Sequence, residues 1–248
     1  MNYEGMIAET TTVRGENGDL IDAYLARPSG PGPFGSVVVI HHMPGWDRWI
    51  KSMTRDLASN GLVTIAPNLH FRETGTTPQE RSESVRNSGG MPDARTMADV
   101  AGAIAAVKDL PYTNGKVGII GFCSGGRQVY LAACTLSGIN AAVDCWGGGV
   151  ITPADQLTPQ QPVSPIDYTA DMSCPILGLF GNEDARPSPQ EVNETEEMLK
   201  KHGKDYEFHR YDNAGHGFFA VDRDSYRQQA SVDAWPKVID FYNKHLSN

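Results

Sequence analysis

The sequence predicts an α/β fold with a mostly parallel central sheet and helices on both faces. Short apolar segments rich in β-branched residues recur along the chain, helical patterns separate most of them, and Gly, Pro and Asn mark their ends. Strands that are apolar at nearly every position are typical of a sheet covered on both faces. The length of 248 residues suits one such unit, so we expect residues 1–248 to form a single domain.

Seven segments have the composition of strands. They lie at residues 20–26, 36–40, 62–67, 116–120, 141–146, 175–180 and 206–211. Helical patterns are predicted near residues 53–60, 97–110, 127–133, 189–202 and from about 235 onward. The polar segment at residues 68–93 is predicted to be a loop or short-helix excursion over the sheet.

Composition excludes several classes of function. A formal charge of −9 and a pI near 5.2 argue against nucleic acid or an anionic membrane as a partner. The first residues lack the basic and apolar pattern of a secretory leader, and no apolar stretch reaches the roughly 18 residues of a membrane span. The four cysteines form no Cys-x-x-Cys pair, which argues against a disulfide scaffold and favours the reducing cytoplasm.

One strand-to-helix junction carries a cysteine between glycines. The segment Gly121-Phe122-Cys123-Ser124-Gly125 follows the apolar residues 116–120 and precedes a helical pattern. Its two glycines match the nucleophile elbow of α/β-hydrolases, with Cys in place of Ser. Glycine suits both positions because the neighbouring strand and helix leave little room for a Cβ. Centring the pattern on Ser124 would put Phe122 at a glycine position, so Cys123 is the candidate nucleophile.

The chain supplies an acid and a histidine after the elbow, in the order that this fold uses. Asp184 follows the strand at residues 175–180, and His216 follows the strand at residues 206–211. In such a triad Asp184 orients the imidazole of His216, which takes the thiol proton and places the hydrolytic water. Plainer interpretations exist for each residue. Asp184 could cap the next helix, Glu183 could be the orienting acid instead, and His216 could be an ordinary turn histidine.

Over almost the whole chain, the sequence resembles the dienelactone hydrolase family. The resemblance is carried by residues 111–118 leading into the cysteine elbow, by Gly181-x-x-Asp184 and by Ala214-Gly215-His216. It implies an α/β-hydrolase fold in which Cys123, Asp184 and His216 form the catalytic triad.

The same resemblance implies an oxyanion hole made of two backbone N–H groups. One belongs to Ser124, the residue after the nucleophile, and the other to Met43 in the loop after residues 36–40. Preorganised donors of this kind stabilise the negative oxygen that develops during acyl transfer.

Two positions differ from the family pattern. The family has an acidic residue in the first of these loops, tied to control of the thiolate, whereas this chain has His42. The family also has an arginine shortly after the catalytic histidine, where this chain reads Phe218-Phe219-Ala220 and the next arginine is Arg223. Both halves of one ion pair are therefore predicted to be absent. His42 could favour a resting thiolate, because a nearby imidazolium lowers a cysteine pKa, or it could simply be a polar loop residue.

Further candidates for substrate contact are Arg81, His42, Trp146 and Phe218. Arg81 matches a family arginine that contacts a substrate carboxylate, and the alternative is a solvated charge paired with a nearby glutamate. Trp146 and Phe218 could line an apolar pocket or belong to the core. The adjacent His41 and His42 have no third ligand at suitable spacing, so we expect no metal.

These residues predict a cytoplasmic, cofactor-free cysteine hydrolase of ester or lactone bonds. Its partner would be a small ester or lactone, with no nucleic acid or membrane, and the chain would be a monomer or homodimer. The resemblance points to dienelactone-type enol-lactones. A broader carboxylesterase or lactonase on the same triad is the alternative. In a different class, Cys123 could be a redox-sensing or binding thiol on a hydrolase scaffold.

Overall fold

Eight strands form the central sheet of the computed structural model, which describes residues 5–247. They are β1 (Met6–Arg14), β2 (Leu20–Pro28), β3 (Phe34–Ile40), β4 (Val63–Pro67), β5 (Thr113–Phe122), β6 (Ala141–Cys145), β7 (Ile176–Gly181) and β8 (Tyr206–Tyr211). Their order across the sheet is β1-β2-β4-β3-β5-β6-β7-β8. The β1–β2 and β2–β4 pairs are antiparallel, and every later pair is parallel. The sheet is therefore mostly parallel, as the sequence predicts.

Helices cover both faces of this sheet. They are α1 (Arg48–Ser59), α2 (Pro78–Asn87), α3 (Asp93–Lys108), α4 (Ser124–Thr135), α5 (Pro189–Lys201) and α6 (Gln228–Leu246). Apolar residues of α3 and α4 pack on one face, and those of α1 and α6 pack on the other. In β3, Val38 and Ile40 join the first core while Val37 and Val39 join the second. This two-residue alternation gives a strand that is buried on both faces. The α/β-hydrolase fold expected from the sequence is confirmed.

Polar side chains cap the N-termini of several helices. Asp47 precedes α1, and its Oδ1 accepts a hydrogen bond from the Ile50 N–H at 3.0 Å. Ser188 and Glu191 form a capping box at the start of α5, with each side chain accepting from the other residue's backbone N–H. These caps fix where the chain leaves the loop and enters the helix.

The parallel strands bring their carboxyl ends to one edge of the sheet. Ile40 of β3 lies opposite Gly121 of β5, and Phe122 lies opposite Cys145 of β6. At the far side, Gly181 of β7 lies opposite Tyr211 of β8. The loops that follow these strands therefore meet at this edge, where open α/β sheets usually carry their sites.

Two elements differ from the sequence-based expectation. The edge strand β1 is almost entirely exposed, so its sequence lacks the buried pattern by which the other strands were predicted. Helix α6 begins at Gln228, earlier than the predicted start near Trp235, and continues through Pro236. Within residues 68–93, the short-helix alternative is the one adopted, because α2 forms behind a capping box of Thr77 and Glu80.

None of the helices among residues 5–247 is both long and apolar enough to cross a bilayer. The segment on which the expectation of no secretory leader depends includes residues 1–4, which lie outside the described residues.

Candidate active site

Cys123 occupies a strained turn between β5 and α4. Its φ of 57° and ψ of −120° lie where residues with a side chain are rarely found. A Cβ on Gly121 would lie 2.1 Å from the Gly125 carbonyl oxygen, and one on Gly125 would lie 2.4 Å from the Ile40 carbonyl oxygen. Only glycine fits at these two positions, which explains why the elbow pattern has glycine on both sides of the cysteine.

Asp184 and His216 meet beside this turn. The His216 Nδ1 lies 2.7 Å from the Asp184 Oδ2, and the other carboxylate oxygen accepts from the Arg186 N–H at 2.9 Å. The Asp184 side chain is 3 % exposed, whereas that of His216 is 40 % exposed. The neighbouring Glu183 is exposed, so the carboxylate that contacts the imidazole belongs to Asp184.

Backbone contacts hold the acid and histidine loops together. The Glu183 N–H donates to the Ala214 carbonyl at 2.9 Å, directly joining the turn after β7 to the loop after β8. A Cβ on Gly181 would lie 2.3 Å from the same Ala214 oxygen, so the two loops touch where a side chain could not fit. This close approach fixes the Asp184–His216 pair within the scaffold.

The electrostatics of the pair favour a charged thiol. Burial opposes ionisation of Cys123, but a hydrogen bond to His216 and the charge of that ring outweigh it and lower the thiol pKa below its ordinary value of 9.0. Burial alone would lower the pKa of His216, whereas Asp184 and Cys123 together raise it to about 10. Each group stabilises the charge of the other, so the arrangement favours a thiolate–imidazolium pair.

Two backbone amides also face the sulfur. Hydrogen bonding from the N–H groups of Ser124 and Met43 contributes to the lowered pKa of Cys123. These are the two donors that the family resemblance suggested, one at the start of α4 and the other in the loop after β3. Donors that lie close to a nucleophile's sulfur can also reach an oxygen that develops on the carbon it attacks.

His42 is held by an acid that the sequence analysis did not assign. Its Nε2 lies 2.8 Å from the Asp47 Oδ2, and its ring stacks on Trp49 with centroids 5.1 Å apart. An Arg223 nitrogen lies 3.6 Å from the same Asp47 oxygen. At the two family positions the chain has His42 and Ala220, which cannot form that ion pair. A different acid–arginine contact, between Asp47 and Arg223, lies beside His42.

Arg81 faces a separate cavity. Its Nε donates to the Gly75 carbonyl at 3.1 Å. The cavity beside it, of about 210 Å³, is lined partly by Trp46, Lys51 and His70 and includes none of the three candidate triad residues. The structure thus gives Arg81 a backbone partner and does not bring it to Cys123.

The two aromatic candidates lie in the core. Phe218 has no exposed surface and packs behind Trp146, with ring centroids 4.7 Å apart. It can therefore support the site but not line it, which corrects the pocket expectation. Trp146 is 2 % exposed, and its ring lies edge-on to His216 with centroids 6.5 Å apart. It therefore lies in the core next to the histidine and does not line an open pocket.

Sequence reasoning missed Asp47 and Arg223. Asp47 does carry a readable signal, because an aspartate directly before a helix is a common N-cap. Its second contact, with His42, depends on the path of the loop. Arg223 reaches Asp47 only when the loop after His216 packs against the loop after β3, and no local pattern encodes that.

Comparisons with known sequences identify the family. A sequence profile of the dienelactone hydrolase family matches residues 21–246. A relative from Methylorubrum extorquens, provisionally named carboxymethylenebutenolidase, is 31% identical over 244 residues, which cover 97% of this chain and 82% of the relative. A relative from Bradyrhizobium is provisionally named 2-oxo-3-(5-oxofuran-2-ylidene)propanoate lactonase. It is 30% identical over 233 residues, which cover 94% of this chain and 92% of the relative.

Solved structures give the same result for the fold. A crystal structure from Klebsiella pneumoniae, provisionally assigned as a dienelactone hydrolase, superposes with a TM-score of 0.87 at 29% identity. The superposition covers 98% of this chain and 100% of the other. The dienelactone hydrolase-like phosphotriesterase P91 superposes with a TM-score of 0.80 at 19% identity, a likeness that concerns the fold alone.

Proposed function

Since this chain belongs to the dienelactone hydrolase family and is a hydrolase of the carboxylic ester and lactone class, we propose that Cys123 is its nucleophile and carries the acyl group as a thioester. The observation that carries this proposal is the coupling of Cys123 to His216, which lowers the thiol pKa and raises the imidazole pKa to about 10. A thiolate is the reactive form of cysteine, and the coupling to His216 increases the fraction of Cys123 in that form.

Acylation begins when the Cys123 thiolate attacks the carbonyl carbon and a carbon–sulfur bond forms. The carbonyl oxygen becomes an oxyanion, which the N–H groups of Ser124 and Met43 stabilise. Collapse of this intermediate breaks the bond to the leaving oxygen. His216 gives its proton to that oxygen and becomes neutral, leaving the acyl group on sulfur.

Deacylation returns the site to its starting state. Neutral His216 takes a proton from water, and the resulting hydroxide adds to the thioester carbonyl. The second tetrahedral intermediate expels the Cys123 thiolate and releases the carboxylic acid. Asp184 keeps the imidazole oriented and stabilises its positive charge in both half-reactions.

The substrate class follows from the leaving group. A low-pKa thiol attacks readily but is itself easily expelled, so it favours substrates whose oxygen leaves without much proton donation. Enol-lactones and aryl esters have such leaving groups, and the names of the relatives also point to enol-lactones and related lactones. We therefore assign activated lactones, foremost dienelactone-type enol-lactones, as the preferred substrates.

Burst kinetics test the proposal. With p-nitrophenyl acetate, we expect stoichiometric release of nitrophenol followed by steady turnover, and both phases should vanish in Cys123→Ala. Turnover of a dienelactone, a neutral lactone and an aryl ester, compared in parallel, should rank by leaving-group quality.

Two results would contradict the proposal. Full esterase activity in Cys123→Ala would remove Cys123 as the nucleophile. A burst without steady turnover on any of the three substrates would favour a labelled binding or redox thiol instead of an enzyme.

A further inference from the structure

The peptide unit between His42 and Met43 is held by its carbonyl oxygen. That oxygen, on His42, accepts from the Gly45 N–H at 2.9 Å and lies 2.9 Å from the His41 Nδ1. The Met43 N–H on the same peptide faces the Cys123 sulfur. The carbonyl and the N–H of a trans peptide point in opposite directions, so fixing one direction fixes the other.

The alternative orientation would disable the site. If this peptide flipped, the His42 carbonyl oxygen would face the sulfur and the developing oxyanion, and both carry negative charge. One donor would be lost and a repulsive dipole would replace it. The loop is short and turns through Gly45 at a φ of 99°, where the missing side chain leaves the backbone free to rotate. The productive orientation of the peptide therefore has to be held by other contacts.

His41 is placed to do this. The residue is 3 % exposed, and its Nε2 accepts a hydrogen bond from the Leu69 N–H at 3.2 Å, a donor that it shares with the Pro67 carbonyl at 3.1 Å. That bond requires a lone pair on Nε2, so the ring proton sits on Nδ1 and is donated to the His42 carbonyl. One neutral tautomer satisfies both bonds, and the His42 carbonyl, which can only accept, requires it.

Burial keeps the ring in that neutral state. It lowers the pKa of His41 to about 4, and the edge-on ring of His70, with centroids 4.5 Å away, is also neutral because burial lowers its pKa to about 2. An imidazolium would place a second donor against the Leu69 N–H, so the arrangement depends on neutrality.

We propose that His41 is a positioning residue of the oxyanion hole, holding the His42–Met43 peptide so that the Met43 N–H faces the reacting carbonyl. This inference rests on the proposed function, since it concerns stabilisation of an oxyanion formed by attack of Cys123. His41 touches neither substrate nor sulfur in this account and acts only through the peptide.

The test compares two reactions of the same thiol. Acylation by p-nitrophenyl acetate passes through an oxyanion, whereas alkylation by iodoacetamide displaces iodide at a saturated carbon and forms none. In His41→Leu we expect kcat/KM for the ester to fall about 10²–10³-fold, the cost of one oxyanion donor. The pH midpoint of alkylation should rise, because the Met43 N–H no longer stabilises the thiolate. The alkylation rate of the fully ionised thiol, measured above that midpoint, should be unchanged. His41→Gln should restore much of the loss, because one amide can accept from Leu69 and donate to the His42 carbonyl.

His70→Leu is the matched control, since it removes a buried ring that packs on His41 and makes no bond to this peptide. Its ester activity should fall far less than that of His41→Leu. If His41→Leu does not fold, His41→Asn replaces it, because the shorter amide cannot span both partners and should show the same selective loss.

Equal falls in acylation and in alkylation of the fully ionised thiol, or undiminished ester turnover in a folded His41→Leu or His41→Asn variant, would overturn the inference. Failure of the proposed function gives a different signature, namely ester turnover that survives in Cys123→Ala.

Discussion

Cysteines lie at the ends of two neighbouring strands, and the two thiols differ in exposure and in pKa. Cys123 follows β5 and Cys145 ends β6, and the Cys123 N–H donates to the Cys145 carbonyl at 3.0 Å. Each strand end is followed by a left-handed residue, with φ of 57° at Cys123 and 46° at Trp146. Yet Cys123 is partly exposed beside His216, whereas Cys145 is fully buried.

Their pKa values move in opposite directions. Burial, aided by the nearby Asp144 carboxylate, raises the pKa of Cys145 well above that of a free thiol. Cys123 also pays for burial, but the hydrogen bond to His216 and two backbone amides more than offset it. The difference teaches that a position at the end of a strand does not by itself make a thiol reactive. A positive partner and converging N–H donors do.

Removing the positive partner should have the largest effect on this contrast. In His216→Asn we expect kcat/KM to fall about 10²–10⁴-fold, because both the thiolate and the proton carrier are lost. The alkylation midpoint of Cys123 should rise toward that of an ordinary thiol. His209→Asn, which removes a surface histidine paired with Glu207, is the control and should retain activity. Unchanged kinetics in His216→Asn would mean that another group ionises the thiol.

The pH dependence of alkylation should separate the two thiols directly. Cys123 should react as the pH rises through a midpoint below 9.0, and His216 should stay protonated until the pH approaches about 10. The thiolate–imidazolium pair therefore forms at pH values above the Cys123 midpoint and below about 10. At lower pH the sulfur is protonated, and at higher pH the imidazolium loses its proton. Cys134 and Cys174 should not be alkylated in this pH range, since burial raises their pKa values to about 12. A Cys123 midpoint at or above 9.0 would contradict this.

His42→Ala should show whether His42 contributes to the lowered pKa of Cys123. Because Asp47 lies 2.8 Å from the His42 ring and offsets any charge on it, we expect the Cys123 alkylation midpoint to stay in place. The free energy of unfolding should fall by about 1–2 kcal/mol, since the bond to a charged acid and the stacking on Trp49 are lost. Chemical denaturation measures this loss. A clear rise in the midpoint would instead assign thiol activation to His42.

The smallest effect on activity is expected at the second thiol. Cys145→Ala should keep ester turnover, because that sulfur faces the core and no substrate. The cavity it leaves should cost about 1 kcal/mol of stability, measured by denaturant unfolding. A large loss of kcat without unfolding would show that β6 takes part in positioning the site.

Much of the candidate site could be predicted because its parts are local patterns. Gly121 and Gly125 mark the elbow since backbone oxygens leave no space for a Cβ. Asp184 and His216 follow strands whose carboxyl ends must meet in a parallel sheet. These signals are short in sequence and are set by sterics and topology.

The remainder depends on packing between distant segments. Arg223 meets Asp47 only through contact between two loops from opposite ends of the chain. The cavity beside Arg81 depends on the path of residues 68–93, which the sequence left open. The role of His41 arises from the direction of a peptide bond, and residue types alone do not report that direction.

The central claim is that an acyl group passes through Cys123. Rapid acid quenching during the burst with p-nitrophenyl acetate, followed by peptide mapping in a mass spectrometer, tests it most directly. The account predicts one acetyl group on the peptide segment at Cys123, absent from Cys123→Ala and retained in Cys145→Ala. An acetyl group on Ser124 or another residue, or turnover with no acylated species at any quench time, would contradict it.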